Sequence, residues 1–206
     1  MNSHTRDSEN TQNMIIEALG RILTERGFTG VGINAVAREA GVDKVLIYRY
    51  FGSMEGLLEA FRDRKELCPR VVDVLDEFPE GTPLSTLVTR LLLKSGKAFR
   101  ESSLAQELAR WELTEKNPLT VAFSRNMEQS ELKSLKERGI HPDPETVTAV
   151  VLLLSGLHYL TLRQSVKNPI MDMDLTDPEA VRRLEKVLKD IVQRYFADRE
   201  ELTYAH

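Results

Sequence analysis

The chain has 206 residues, 41% hydrophobic and 29% charged, which is long enough to bury a sizeable core and ordinary for a water-soluble globular protein. Its formal net charge of -4 excludes a global basic field, so any contact with a polyanion must come from a local patch. A single cysteine, Cys68, excludes an internal disulfide framework and leaves no Cys/His cluster for a structural zinc.

Residues 1–10, MNSHTRDSEN, are expected as a flexible polar tail; they carry no apolar segment of the kind that directs secretion. Asn10 or Thr11 then caps a first helix in which Met14, Ile15, Ala18, Leu19, Ile22 and Leu23 form one apolar stripe, ending at Arg26 and Gly27. Phe28 is expected to fold back onto that stripe, and residues 29–32, TGVG, bridge to the next unit with Gly32 as a side-chain-free cap.

Residues 33–51, INAVAREAGVDKVLIYRYF, describe two short helices and a tight turn. Ile33, Val36, Ala37 and Ala40 recur at helical spacing, Gly41 supplies the left-handed residue that ends the helix, and Asp43 caps the next one. Val42 and Ile47 occupy the two positions of a hydrophobic staple around that cap. Helices joined so closely have helix-turn-helix geometry. With Ile47 and Phe51 pointing inward, Lys44, Val45, Leu46, Tyr48, Arg49 and Tyr50 remain as candidate DNA contacts. Cations reach phosphates or guanine edges, tyrosine hydroxyls donate to phosphate oxygens, and Val45 or Leu46 suits a thymine methyl. The same pattern also fits a solvated helical corner with tyrosines packed on it. After Phe51, Gly52 turns the chain and Ser53 caps a fourth helix with Leu57, Leu58 and Phe61 inside.

An ordered series runs through this region: Gly27 with Phe28, then Ala37, Ala40, Gly41 and Val42, then IYRYF at 47–51, then Ser53, Leu57 and Leu58. Over about residues 11–61 the chain resembles the TetR/AcrR (tetracycline-repressor) type of bacterial transcriptional regulator. The resemblance implies an all-α fold: a three-helix DNA-binding head over 11–68 and a larger helical effector-binding and dimerisation domain over 69–206. It also implies a homodimer on a near-palindromic operator, a small-molecule effector that releases DNA, and repression as the default. Carried over by position, the DNA contacts fall on Lys44, Val45, Leu46, Tyr48, Arg49 and Tyr50. The chain departs from the usual pattern at Val45 and Leu46, where small or hydroxyl residues are common, at Met54 in place of a lysine, and at Gly32 in place of Ser or Thr. Each departure removes a phosphate donor, so apolar contacts should count for more in readout.

Residues 63–66, DRKE, alternate in sign and read as a solvated helix face, and residues 77–83, EFPEGTP, as a loop. Helices are expected over 84–100, over 104–116, and from Pro118 to about Arg138 with a stop at Gly139. Asp143 with Pro144, and Asp177 with Pro178, open the last two helices. Residues 147–162 are apolar nearly all round, so this helix should be buried on most faces; at fewer than about 18 uninterrupted apolar residues and followed by Arg163, it is not expected to span a membrane. The helices around 144–166 and 177–200 are the expected homodimer interface, pairing as a four-helix bundle in which Gly156 permits close approach; the alternative is an intramolecular helical pair.

The four histidines, His4, His141, His158 and His206, show no paired ligand spacing, and no phosphate-binding glycine loop or nucleophile motif occurs, so neither catalysis nor a metal or cofactor is expected. Trp111 with Glu112, and His158 with Tyr159, combine aromatic surface with a polar group and are the candidate effector-binding residues; Trp111 equally fits simple core, His158 a hydrogen-bonded interior residue and Glu112 a solvated face. A cytoplasmic DNA-binding regulator is the expectation; the rival is an all-α enzyme or small-molecule carrier with a structural helix pair.

Overall fold

The computed structural model describes residues 3–65, 67, 69–114 and 117–197, with no account of the side chains at 3–6 and 126–127. Cys68, His206 and the end of the second expected interface helix, 198–200, lie outside the described residues. Among the described residues ten α-helices follow in order: α1 Ser3–Arg26, α2 Ile33–Ala40, α3 Lys44–Phe51, α4 Met54–Lys65, α5 Val71–Leu75, α6 Leu84–Glu101, α7 Ser103–Thr114, α8 Pro118–Glu137, α9 Pro144–Ser165 and α10 Pro178–Phe196. Two 3-10 turns, Phe28–Gly30 and Ile170–Asp172, complete the set, and no strand occurs among the described residues. The protein is all-α.

The first helix starts earlier than its polar sequence suggests. Residues 3–10, expected as a flexible tail, form the opening turns of α1. They contain no proline or glycine to stop a helix, and Thr11, read as a cap, instead donates from Oγ1 to the carbonyl of Asp7 at 2.8 Å, one turn back.

The helices pack into two compact units interleaved along the chain: Met1–Leu67 with Leu104–Gln129, and Cys68–Ser103 with Ser130–His206. A single division at residue 68 does not describe this packing, because Leu104–Gln129 returns to the N-terminal unit. The chain therefore passes between units near 67, 103 and 129, and α4 is not the sole covalent connection.

The N-terminal unit is built on α1. Ile15, Ile16, Ala18, Leu19, Ile22 and Leu23 are buried, whereas Met14, expected on the same stripe, is exposed. Onto this stripe pack Val36, Ala37 and Ala40 of α2, Ile47 of α3, Leu57, Leu58 and Phe61 of α4, and Leu108 and Phe123 from α7 and α8. Phe28 is buried as expected, but its ring meets Phe123, with centroids 5.7 Å apart and planes tilted by 56°. Gly56, near the start of α4, approaches the end of α3 so closely that a Cβ would lie 2.1 Å from the carbonyl oxygen of Phe51. Exposed ion pairs tie α1 to α2 through Arg21 and Glu39, at 2.8 Å, and to α4 through Glu17 and Lys65, at 2.5 Å.

In the second unit Leu84, Val88 and Leu92 of α6 pack with Leu157 of α9 and with Leu188, Val192 and Phe196 of α10. The two expected caps form. Asp143 accepts from the amide and hydroxyl of Thr146, at 2.9 and 2.6 Å, and Asp177 from the amides of Glu179 and Ala180, at 2.9 and 3.2 Å. Arg138, just past α8, grips Asp76 with two guanidinium nitrogens, Nη2 donating to Oδ2 at 2.7 Å. The hydrogen bond to Arg138 lowers the pKa of the Asp76 carboxyl and raises that of the guanidinium.

Against expectation, α9 is not buried on most faces within one chain: only Thr146, Leu157 and Thr161 are fully buried. Leu152 is 70% exposed, and Ser155, Gly156 and Tyr159 follow it along one face at three- and four-residue spacing. Beside Gly156 the space is open. On α10 a comparable row of Val187, Ile191 and Tyr195 is exposed, with Ile191 at 46%. By length and composition alone α9, at 22 residues, would also suffice to cross a membrane.

Candidate nucleic-acid interface

The geometry of the helix pair follows from its local sequence. The α2 helix ends at Gly41, whose φ of 68° and ψ of 31° place it in the left-handed region, and the amide of Val42 reaches back to the carbonyl of Ala37 at 3.0 Å. Only Gly41, Val42 and Asp43 separate α2 from α3. Asp43 accepts from the amide of Val45 at 2.8 Å, while Val42 and Ile47 both join the core beneath. At eight residues α3 is too short to persist alone, so this cap, the staple and the packing of Ile47 hold it in place.

With Ile47 fixed inward, helical periodicity decides what faces out. Val45 and Arg49, one turn apart, lie across the helix from Ile47 and are exposed, Val45 at 62%. Lys44 and Tyr48 flank them on one side, and Tyr48 is 52% exposed. Leu46 and Tyr50 lie on the other flank and are half-buried. Tyr50 packs against the core and sets its ring edge-on to Phe51, at 6.3 Å between centroids. Phe51, expected inward, is half-buried at the rim of the core.

The electrostatics are local. The α3 sequence KVLIYRYF contains two cations and no carboxylate, against a chain net charge of -4. The α2 helix adds exposed Asn34 and Arg38, which periodicity alone marks only as solvated surface. Glu39 is engaged by Arg21, and that hydrogen bond lowers its pKa. At Gly32 the cap of α2 is extended backbone and supplies no side-chain hydrogen bond. The fourth helix has its expected cap, the Ser53 hydroxyl accepting from the amide of Gly56 at 3.2 Å.

The four candidate effector residues are not gathered into one pocket. Trp111 and Glu112 belong to the N-terminal unit and His158 and Tyr159 to the other. Trp111 packs half-buried against the N-terminal core, with its indole Nε1 buried and without a hydrogen-bond partner among the described residues, and Glu112 is exposed. Tyr159 is exposed beneath the Arg163 guanidinium, which lies 5.9 Å above its ring. His158 stacks on Phe99 with centroids 4.1 Å apart and planes 27° apart.

Burial lowers the His158 pKa because desolvation penalises the imidazolium. The unfolded chain, with an ordinary pKa of about 6.5, therefore binds this proton more readily than the folded one. The stability that His158 contributes is complete above that pH and falls away as the pH drops through the folded pKa. Urea unfolding midpoints measured from pH 7 to 5 should fall less steeply for His158→Phe, which keeps the ring and removes the titration. Parallel profiles for the two proteins would refute this assignment.

Residues 15–61 match the family model described as bacterial regulatory proteins, tetR family. An uncharacterised HTH-type transcriptional regulator of Mycobacterium tuberculosis, represented in two strains, is 28% identical over 120 residues, covering 55% of this chain and 54% of that protein. The matched stretch thus spans about half the length of these relatives. Among solved structures, the fatty acid degradation regulator FadR from Bacillus halodurans superposes with a TM-score of 0.55 at 21% identity, covering 86% of this chain and 97% of that one. A TetR family transcription regulator from Marinobacter aquaeolei gives 0.53 at 18% identity, over 91% and 97%. At such identities the likeness is one of fold.

Proposed function

We propose that this chain, whose residues 15–61 match the model of the tetR family of bacterial regulatory proteins, is a member of that family and a cytoplasmic DNA-binding transcriptional regulator. In this reading it engages a near-palindromic operator as a homodimer and is released by a small-molecule effector. Its work is binding rather than catalysis.

The observation that carries the reading is the outward row of α3: Lys44, Val45, Tyr48 and Arg49 are exposed together on a helix pinned from beneath by Asp43 and Ile47. A helix presented this way suits the major groove, where Arg49 and Lys44 reach guanine edges or phosphates, Val45 meets a thymine methyl and Tyr48 donates to a phosphate. Leu46 and Tyr50, half-buried on one flank, contribute at the edge of the contact. With Val45 at the centre and few cations around it, readout leans on apolar contact more than on charge.

Two heads must stand about 34 to 36 Å apart to meet half-sites in successive turns of the groove. The exposed rows of α9 and α10 supply the means: pairing Leu152, Gly156 and Tyr159 with Val187, Ile191 and Tyr195 across a two-fold axis buries both in a four-helix bundle. This pairing, rather than a bilayer, accounts for the apolar surface of α9. Its exposed face also carries Thr148, Ser155 and Arg163, polar groups that a lipid contact disfavours.

Repression is the default, and an effector that prefers the wrong head spacing releases DNA. By linkage, DNA must then weaken effector binding by the same factor. Because α7 and the first half of α8 share the N-terminal core, they are candidates alongside α4 for carrying this coupling.

Selection of genomic fragments by the purified protein, followed by footprinting across a salt series, tests the reading. The expected result is a palindromic footprint of about 20 to 30 base pairs whose affinity falls steeply with salt. Lys44→Ala and Arg49→Ala should each weaken that binding by about 1 to 3 kcal/mol where the side chain reads a base. An enzyme or carrier with a merely structural helix pair yields no footprint, and unchanged affinity in both variants removes α3 as the reading helix.

A further inference from the structure

The second unit contains a cleft of about 280 Å³ that includes none of Trp111, Glu112, His158 or Tyr159. One wall is a flank of α6, with Ser85, Thr86, Thr89, Arg90 and Leu93; the other is α10, with Lys189 and Gln193, and Phe78 also contributes to the lining. Three features of this lining point to one kind of occupant.

First, the lining is cationic without an opposing carboxylate: Arg90 and Lys189 contribute, and no Asp or Glu does. Arg90 is held by Glu77 at 2.8 Å, whereas Lys189 makes no ion pair among the described residues. Secondly, the hydroxyls of Ser85, Thr86 and Thr89 and the amide of Gln193 offer hydrogen bonds beside these charges. Thirdly, Phe78 and Leu93 provide apolar surface for something other than a bare ion. The cleft is small, so the apolar part must be short.

The cleft also stays open in the proposed dimer. Lys189 and Gln193 lie roughly half a turn round α10 from the row of Val187, Ile191 and Tyr195, on the other side of the buried face formed by Leu188, Val192 and Phe196. A partner seated on the apolar row leaves them accessible.

We propose that this cleft binds a small anionic amphiphile, a molecule with a carboxylate or phosphate head held at Lys189 and Arg90 and a short apolar chain laid on Phe78 and Leu93. The site stands on the lining alone and does not depend on DNA binding. The anion neutralises Lys189, a cation with no ion pair among the described residues, and accepts hydrogen bonds from the neighbouring hydroxyls.

Calorimetric titration of the full-length protein with octyl phosphate, below its micellar concentration, tests the site, with octanoate, octanol and inorganic phosphate as parallel probes. Saturable one-to-one binding of octyl phosphate or octanoate is expected, with octanol and inorganic phosphate each at least tenfold weaker. Tight octyl phosphate with weak octanoate identifies a phosphate head, and the reverse a carboxylate. Lys189→Gln should weaken the preferred probe at least tenfold, and Thr89→Trp, which fills the cleft, should abolish binding, both with unchanged urea midpoints. Absence of saturable binding, octanol as tight as the anions, or full affinity in Lys189→Gln overturns the proposal. Should Thr89→Trp not fold, the charge comparison between octanol and octyl phosphate on the unaltered protein still decides it.

Discussion

Leu152→Arg combined with Ile191→Arg is expected to leave a folded monomer of 23.4 kDa where the proposed homodimer of the unaltered protein would sediment at twice that mass. The reasoning begins with what each side chain touches in one chain. Leu152 is 70% and Ile191 46% exposed, so neither contributes much to the core built from Leu157, Leu188 and Val192, and arginine at either position has room to reach water. Across a two-fold interface the same positions face their own kind, and each dimer would bring four added cations into an apolar, desolvated seam. The consequence for DNA follows from avidity. A monomer engages one half-site, without the second contact that a dimer makes at high effective concentration, and operator affinity should fall by at least about 100-fold. Sedimentation velocity and a gel-shift titration on the same samples check both parts. A variant that remains dimeric places the self-association surface elsewhere; a monomer with undiminished operator affinity removes the dimer from the binding mechanism.

Phe28→Ala should destabilise the N-terminal unit by about 3 to 5 kcal/mol, the range for truncating a fully buried aromatic ring. Phe28 is 1% exposed, sits after Gly27 on the turn between α1 and α2, and meets Phe123 of α8 at 5.7 Å. Removing the ring leaves a cavity between elements about 95 residues apart in sequence, and neither side can close it by local adjustment. The loss should appear as a lower urea midpoint for the helical signal and as weaker operator binding at temperatures where the unaltered head is fully folded. A shift below about 1 kcal/mol would mean that the Phe28 site collapses readily and that Phe123 is a bystander. Phe123→Ala, examined in the same way, should show a comparable loss and be non-additive with Phe28→Ala, as contacting side chains are.

The local chemistry of residues 33–51 was legible because each device there acts over a few residues. Gly41 ends α2, Asp43 caps α3, Val42 and Ile47 bracket the cap, and the structure places all four in those roles. The same holds for Ser53, Asp143 and Asp177, whose hydrogen bonds reach no further than the next turn. Chain order likewise fixed which side chains of α3 lie opposite Ile47, although not that Tyr50 would turn back onto the core.

Other features depend on where distant segments meet. The start of α1 is not legible locally, because Thr11 is as good a cap in isolation as it is an internal residue bonded to Asp7. The return of Leu104–Gln129 to the N-terminal core was invisible, since an apolar stripe such as Leu104, Leu108 and Trp111 records that a face is buried and not against what. For the same reason composition alone makes Trp111 and His158, both aromatic groups with a polar atom, equal candidates for effector contact, although they belong to different units. The cleft of Arg90 and Lys189 joins residues that are ordinary surface cations on their own helices. By itself, then, the sequence determined the helices, their caps and the outward row of α3, because those follow from periodicity and hydrogen bonds within a turn. Only the tertiary structure decided which apolar faces find a partner within the chain and which, on α9 and α10, remain exposed, because burial is a property of two surfaces and a sequence pattern describes one.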